Sequence, residues 1–434
     1  MVNTREVALD CIMEILEKKQ YSHYVIKQVL DKYGYLDKRE RSFIKRTVEG
    51  TVERCMEMDY VTDSFSKVPV KKMKPFIRSL IRMSVYQILY MDSVPDSAVC
   101  NEGVKLAAKR GFSSLKGFVN GVLRNIARNK EKIIYPDREK ERVSYFSMVY
   151  SMPVWIVELF ISRFGEEKTE QILKALLSNR PLTIRLREDM GEEEKKALLQ
   201  KMSDEGISFE KTAEFSGGYR LENFDRPESI PGFEEGLIMI QDAGSMAITD
   251  GAGVEENQYI IDVCGAPGGK ALHAAGKMKN TGLVLVRDIS ERKVELIDEN
   301  IKRSGCTNIR AEVFDATVLD RENIEKADLV IADLPCSGLG VIGRKGDIKY
   351  RITREDVAEV AALQRKMLSV VWQYVRPGGK LLYSTCTLTE EENEKNSAWF
   401  LEQFPFKKEK EQLWIPGINE TDGFYMAVFV RKAV

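Results

Sequence analysis

At 434 residues, with 43% hydrophobic and 31% charged side chains, the chain is long enough for two or three domains that each bury a core. No apolar run approaches the ~18 residues of a membrane-crossing helix, and the start Met1-Val2-Asn3-Thr4-Arg5-Glu6 lacks a signal peptide's apolar core, so a cytoplasmic protein without a membrane partner is expected. Seven scattered cysteines without a CxxC pair, and only His23 and His273, argue against a disulfide framework, a metal site and a histidine-based triad.

The net charge of −1 conceals an asymmetry: residues 1–150 carry 28 Lys and Arg against 19 Asp and Glu, and the remainder 38 against 48. Over residues 4–132, pairs such as Val7-Ala8, Cys11-Ile12 and Ile15-Leu16 recur at spacings of three and four, the period of amphipathic helices. Within 99–132 the basic residues Lys105, Lys109, Arg110, Lys116, Arg124, Arg128, Lys130 and Lys132 face only Glu102 and Glu131. A basic helical domain over 1–135 suits a polyanion, nucleic acid first; a solvated helix face would show the same charge.

A linker is expected over 136–150, where Pro136-Asp137 precedes a charged stretch. Residues 151–240 mix helical patterns (154–164 and 168–177) with a strand at 182–186, which reads as a small α+β unit. From 241 to 434, strand-like runs at 259–263, 283–286, 312–314, 329–331 and 380–383 alternate with helical ones at 290–304 and 355–375. Alternation of this kind predicts an α/β, Rossmann-like doubly wound sheet whose ligand site lies at the carboxyl ends of its strands.

The polar residues of interest fall at those ends. The first run leads into Cys264-Gly265-Ala266-Pro267-Gly268-Gly269-Lys270, a glycine loop opening a helix, where a nucleotide can approach the backbone. Its pattern matches neither GxGxxG nor GxxxxGK[ST]. Asp288 ends the second run, placed to hold ribose hydroxyls, and Asp315 follows the third, suited to an adenine edge. Either acid alone could be a helix cap; acids at successive strand ends in register point to a ligand.

Beyond the fourth and fifth runs stand Asp333-Leu334-Pro335-Cys336-Ser337 and Ser384-Thr385-Cys386-Thr387. Position C5 of a cytosine becomes nucleophilic once a thiolate adds at C6; after methylation the C5 proton must leave and the thiol be expelled. That chemistry needs a nucleophilic cysteine, a group assisting elimination and a polar residue on the pyrimidine edge, which Cys336, Cys386 and Asp333 supply as types. Which thiol attacks is left open by the chemistry alone. Cys11, Cys55, Cys100 and Cys306 read as small core hydrophobes.

These three motifs resemble those of the Sun family of RNA 5-methylcytosine methyltransferases, as do Gln241-Asp242-Ala243-Gly244-Ser245, Glu390-Glu391-Glu392-Asn393 and Asp422-Gly423-Phe424-Tyr425. Residues 36–54 and 94–125, the latter including Phe118-Val119-Asn120-Gly121-Val122-Leu123-Arg124, resemble the NusB-like RNA-binding domain. The likeness covers essentially the whole chain and implies an all-α NusB-like domain, an RNA-recognition-like α+β subdomain and a methyltransferase domain.

The resemblance implies S-adenosylmethionine as methyl donor and cytosine 967 of 16S ribosomal RNA as acceptor; an unassembled or partly unfolded RNA and a monomeric protein are the default expectations. It implies that Cys264 to Lys270, Asp288, Asp315 and Asp333 contact the cofactor, with Asp333 also near the base. It assigns attack to Cys386 and product release to Cys336. Because motifs encode the reaction rather than the address, tRNA and large-subunit rRNA stay open as substrates, and an RNA-binding assembly factor without catalysis is a further alternative. Gly265 stands where that family often has Ala, and Gly346 where it often has Pro, which is expected to loosen a basic loop, 337–351, bordering the RNA.

Overall fold

A computed structural model describes residues 2–178 and 181–433. The chain divides into two compact units: Met1–Leu177 with Arg344–Arg351, and Ser178–Gly343 with Ile352–Val434.

The first unit is helical. Helices α1 (Thr4–Leu16), α2 (Ser22–Lys32), α3 (Lys38–Glu53), α4 (Cys55–Phe65), α5 (Pro75–Tyr90), α6 (Asp96–Lys109) and α7 (Lys116–Asn129) surround one core. Helix α5 is its axis: Pro75 opens it at a position that needs no N–H, and Ile77, Leu80, Ile81, Val85 and Ile88 are all buried. Side chains end the voids at two helix starts, Asn3 accepting from the N–H groups of Arg5 and Glu6, and Asp37 from that of Glu40. Helices α8 (Arg142–Val149), α9 (Val154–Phe164) and α10 (Glu166–Leu176) complete this unit. The last two were expected in the α+β unit; instead they fall within the helical one, burying Ile156, Val157 and Phe160 of α9 and Ile172, Leu173 and Leu176 of α10. The stretch around Tyr135 has no regular structure but is anchored, Tyr135 donating to Glu57 Oε1 at 2.6 Å.

Residues 344–351 correct the expectation of a loose basic loop. Lys349 is 1% exposed and its Nζ donates to the Glu53 carbonyl at 2.6 Å, while Asp347, 2% exposed, accepts from the backbone N–H of Ser22 at the start of α2. Arg351 reaches Asp347 at 3.0 Å and lies over the Tyr21 ring. A buried ammonium and a buried carboxylate need these partners, so they fix the segment against the helices.

The second unit holds two sheets. Strands β1 (Leu182–Leu186), β2 (Ser208–Lys211), β3 (Gly218–Glu222) and β4 (Ile238–Ile240), with helix α11 (Glu192–Asp204), form an antiparallel sheet in the order β2-β3-β1-β4. Helix α12 (Ala243–Gly251) leads to β5 (Tyr259–Asp262), α13 (Gly269–Lys277), β6 (Leu283–Asp288), α14 (Glu291–Ser304), β7 (Ile309–Val313), β8 (Ala327–Asp333), α15 (Arg354–Val371), β9 (Val375–Thr385), α16 (Glu394–Gln403), β10 (Phe406–Trp414) and β11 (Phe424–Arg431). The seven strands run in the order β10-β11-β9-β8-β5-β6-β7, parallel from β9 to β7, with β11 antiparallel to β9 and to β10. Successive residues enter opposite cores: Ile261, Val330 and Leu381 one, Ile260, Ile331 and Leu382 the other. The chain goes outward from β5 through β6 to β7, then returns to β8 on β5's other side. The crevice between the ends of β5 and β8 is therefore the switch point where ligands bind in such sheets.

Candidate active site

The end of β5 is the floor of that crevice. Asp262 is 1% exposed and neither carboxylate oxygen has a hydrogen-bond partner; burial, followed by the charge of Asp333, pushes it up to about 7. The loop after it turns tightly. Gly268 has φ of 105°, a left-handed conformation that glycine adopts without strain. At Gly265 a Cβ would fall 2.3 Å from Val286 Cγ1 and 2.9 Å from the Asp262 carboxylate, so glycine fits there where alanine would collide. Cys264 packs inside the loop, its thiol pushed up by burial.

Lys270, in the first turn of α13, is 8% exposed and donates to Asp333 Oδ2 at 2.6 Å; Ser384 donates to Oδ1 of the same carboxylate at 2.7 Å. Burial pulls the ammonium down, but Asp333 outweighs it and holds Lys270 above its ordinary value, with Asp262 and Cys386 adding to the rise. Asp288 closes β6 nearly buried, meeting Lys293 Nζ at 3.3 Å and the Ser290 N–H at 3.4 Å. Asp315 lies two residues past β7 and accepts from the N–H and hydroxyl of Thr317, which hold it below its usual range.

Strands β8 and β9 are parallel neighbours with Asp333 opposite Ser384, so the chain carries both thiols just beyond the same edge. Cys336 Sγ lies 3.1 Å from Cys386 Sγ and 3.3 Å from the Cys386 backbone nitrogen, which donates to it. The bond to Cys386, then burial, then the charges of Cys386 and Glu392 push the Cys336 thiol well above its ordinary value. The structure thus gathers Cys336, Cys386, Asp333, Lys270 and Asp262 around one crevice, with the acids Asp288 and Asp315 at the ends of the neighbouring strands.

Sequence reasoning quoted Ser337, Thr387, Glu392 and Asn393 within motifs but gave no role to the support that they, with Thr389 and Gln364, form beneath the thiols. Ser337, Thr387, Thr389, Gln364, Glu392 and Asn393 are all buried, although residue type alone places such groups at the surface. It missed Gly340 and gave no role to Gly423, whose close approach lets the Gly340 N–H donate to the Cys386 carbonyl at 3.0 Å; a Cβ on Gly340 would meet the Gly423 oxygen at 2.2 Å. The available signal was a run of polar residues and glycines just after the strand ends, dense in groups that bond one another.

Comparison with known proteins agrees with this arrangement. Residues 253–430 match the family model described as 16S rRNA methyltransferase RsmB/F, and residues 2–128 match the NusB family. A probable ribosomal RNA small subunit methyltransferase B of Bacillus subtilis is 34% identical, over 99% of each chain. The ribosomal RNA small subunit methyltransferase B of Klebsiella pneumoniae is 28% identical over the same shares. Among solved structures, the one titled PH0851 superimposes with a TM-score of 0.83 at 22% identity, over 99% of both chains. NSun6 from Pyrococcus horikoshii, solved with SFG, gives a TM-score of 0.58 at 22% identity, over 65% of this chain and 99% of that one. With a helical NusB domain, a doubly wound catalytic sheet and full-length relatives of one kind, the chain belongs to the ribosomal RNA small subunit methyltransferase B family of S-adenosylmethionine-dependent enzymes.

Proposed function

We propose that the protein methylates C5 of a cytosine in small-subunit ribosomal RNA, cytosine 967 of 16S rRNA by its family resemblance, through a covalent adduct with Cys386. The observation that carries this reading is the pair of sulfurs 3.1 Å apart with the buried Lys270 ammonium nearby.

Bound S-adenosylmethionine supplies an electrophilic methyl group. The residues present fit it: Asp262 offers a buried carboxylate without partners to a cationic ligand, the glycine loop Cys264 to Lys270 leaves room for close approach, and Asp288, Asp315 and Asp333 offer acceptors to hydroxyl and amino groups. The analogue SFG in the NSun6 structure supports a cofactor of this class.

The surroundings of the thiols support the roles that the family resemblance implies. A cation beside Cys386 favours its thiolate, the form that adds to C6. Asp333, fixed by Lys270 and Ser384, presents its carboxylate beside the thiols, where it can accept from the cytosine's amino group. While Cys386 is a thiolate it opposes ionisation of Cys336; once its sulfur is bonded to C6 that opposition vanishes. After C5 has taken the methyl group, Cys336, its own proton given up to solvent, takes the C5 proton as a thiolate; the C5–C6 double bond re-forms, the C6–S bond breaks and Cys386 leaves as a thiolate. The target base must stand outside a stack, at a cost of a few kcal/mol where it begins paired.

The test is adduct trapping. Cys336→Ala, incubated with S-adenosylmethionine and naked small-subunit rRNA, should accumulate a denaturation-resistant protein–RNA species, and Cys386→Ala should form none. Adduct with Cys386→Ala and none with Cys336→Ala would reverse the roles.

A further inference from the structure

We infer that Glu392 is a positioning residue for the thiol pair: its buried carboxylate ties the loop after Cys336 to the loop after Cys386 and so fixes the distance between the two sulfurs. The inference deepens the proposed function and rests on that pair being the reactive one.

Glu392 is fully buried and its carboxylate oxygens receive four hydrogen bonds. Oε2 accepts from the Ser337 N–H at 2.8 Å and from Gln364 Nε2 at 3.2 Å; Oε1 accepts from the Ser337 hydroxyl at 2.5 Å and the Thr389 hydroxyl at 2.8 Å. All four donors are uncharged. Two belong to the residue that follows Cys336, and Gln364 Nε2 also donates to the carbonyl of Pro335, which precedes it, at 2.8 Å. The Pro335–Ser337 turn is thereby held on both sides of its thiol.

The other loop is held through the same group. Ser337 Oγ lies 2.7 Å from Thr387 Oγ1, so the residues following the two cysteines are joined directly. Next to Glu392, Asn393 Nδ2 donates to the Thr387 carbonyl at 3.0 Å and its Oδ1 accepts from the Thr385 hydroxyl at 2.5 Å, gripping the chain on either side of Cys386. The Tyr383 hydroxyl donates to the backbone carbonyl of Glu392 and lies 3.0 Å from Gln364 Oε1, anchoring the cluster on β9.

A fully buried carboxylate is a poor way merely to fill space, because desolvating the charge costs several kcal/mol and an apolar group of similar volume would avoid that. What it provides is direction: four bonds converge on one rigid group and set two loops in register. The negative charge also adds to the effects that keep Cys336 protonated in the resting protein.

The experiment compares wild type with Glu392→Gln, which keeps the volume and removes the charge. Phenylarsine oxide, which bridges two adjacent thiols, reports their spacing without any turnover; methylation kinetics report its use. Glu392→Gln should slow bridging of Cys336 and Cys386 at least ~10-fold and lower kcat by about 100-fold, the cost of misplacing reacting groups by roughly 1 Å, with KM for S-adenosylmethionine within about twofold. Bridging and kcat both equal to wild type would overturn the inference. Where Glu392→Gln fails to fold, Ser337→Ala, which cuts the link to Thr387, carries the same expectations and the same overturning result. A wild-type protein that is bridged normally yet methylates no cytosine would overturn the proposed function and leave the positioning role standing.

Discussion

Lys270 Nζ donates to Asp333 Oδ2 at 2.6 Å and also feels the charges of Asp262 and Cys386, so one buried cation serves two acids and a thiol. Replacing it leaves both carboxylates uncompensated. Lys270→Met should lower unfolding free energy by about 3 kcal/mol in urea titration, typical of removing one partner from a buried pair. It should also slow adduct formation, because the cation favouring the Cys386 thiolate is gone.

Asp262 gives stability a pH dependence of defined sign. Its folded value of about 7 lies above the ordinary carboxylate range, so the folded protein binds the proton more tightly than the unfolded chain. That contribution is fully present at low pH and lost as pH rises from about 4 to about 7. Asp262→Asn removes it. Between pH 5 and pH 7.5, the melting temperature of wild type should fall relative to that of Asp262→Asn; parallel curves would show that the carboxylate titrates normally.

The segment 344–351 is structurally part of the helical unit. Lys349, buried against the Glu53 carbonyl, is pulled down to about 8 by burial, and Glu53 is pushed up to about 7 by its own burial. Lys349→Met should destabilise the helical unit by about 2 kcal/mol, the order of one charge-assisted hydrogen bond, read as earlier loss of helical signal in denaturant. For the same reason a fragment of residues 1–177 should melt earlier than that unit does in the full chain.

Lys105, Lys116 and Arg124 line a groove of about 470 Å³ on the helical unit with Asn101, Val104, Gly117 and Asn120. This is the basic stretch expected to meet a polyanion. Changing all three cations to Glu should weaken rRNA binding and reduce the slope of log affinity against log salt by about 2, near 0.7 for each lost contact with single-stranded RNA. An unchanged slope would place the phosphate contacts elsewhere.

The sequence made the parallel part of the sheet legible because β5, β6 and β8 are largely apolar runs that end in aspartate and β9 carries the apolar Leu381-Leu382-Tyr383. Strand β10, FKKEKEQLW, did not read as a strand: it is a sheet edge that carries exposed charges, as edges that avoid aggregation do. The short strands β2 and β3 gave too few alternating residues to register. At the site, Cys336, Cys386 and Lys270 stood out by type and position, whereas Glu392 entered only within a motif and without a role, since a glutamate in an acidic run looks solvated until its donors from distant loops are seen. Gly346 shows the same limit: as a missing proline it suggested looseness, but Lys349 and Asp347 decide how the segment is held.

The central claim is that Cys386 carries a cytosine through methylation at C5. Single-turnover reaction of wild type with methyl-labelled S-adenosylmethionine and naked small-subunit rRNA, followed by nucleoside analysis, tests it most directly. Label should appear in 5-methylcytidine and be abolished in Cys386→Ala at unchanged fold and unchanged rRNA binding. Label in any other nucleoside, or 5-methylcytidine formed equally well without Cys386, would contradict it.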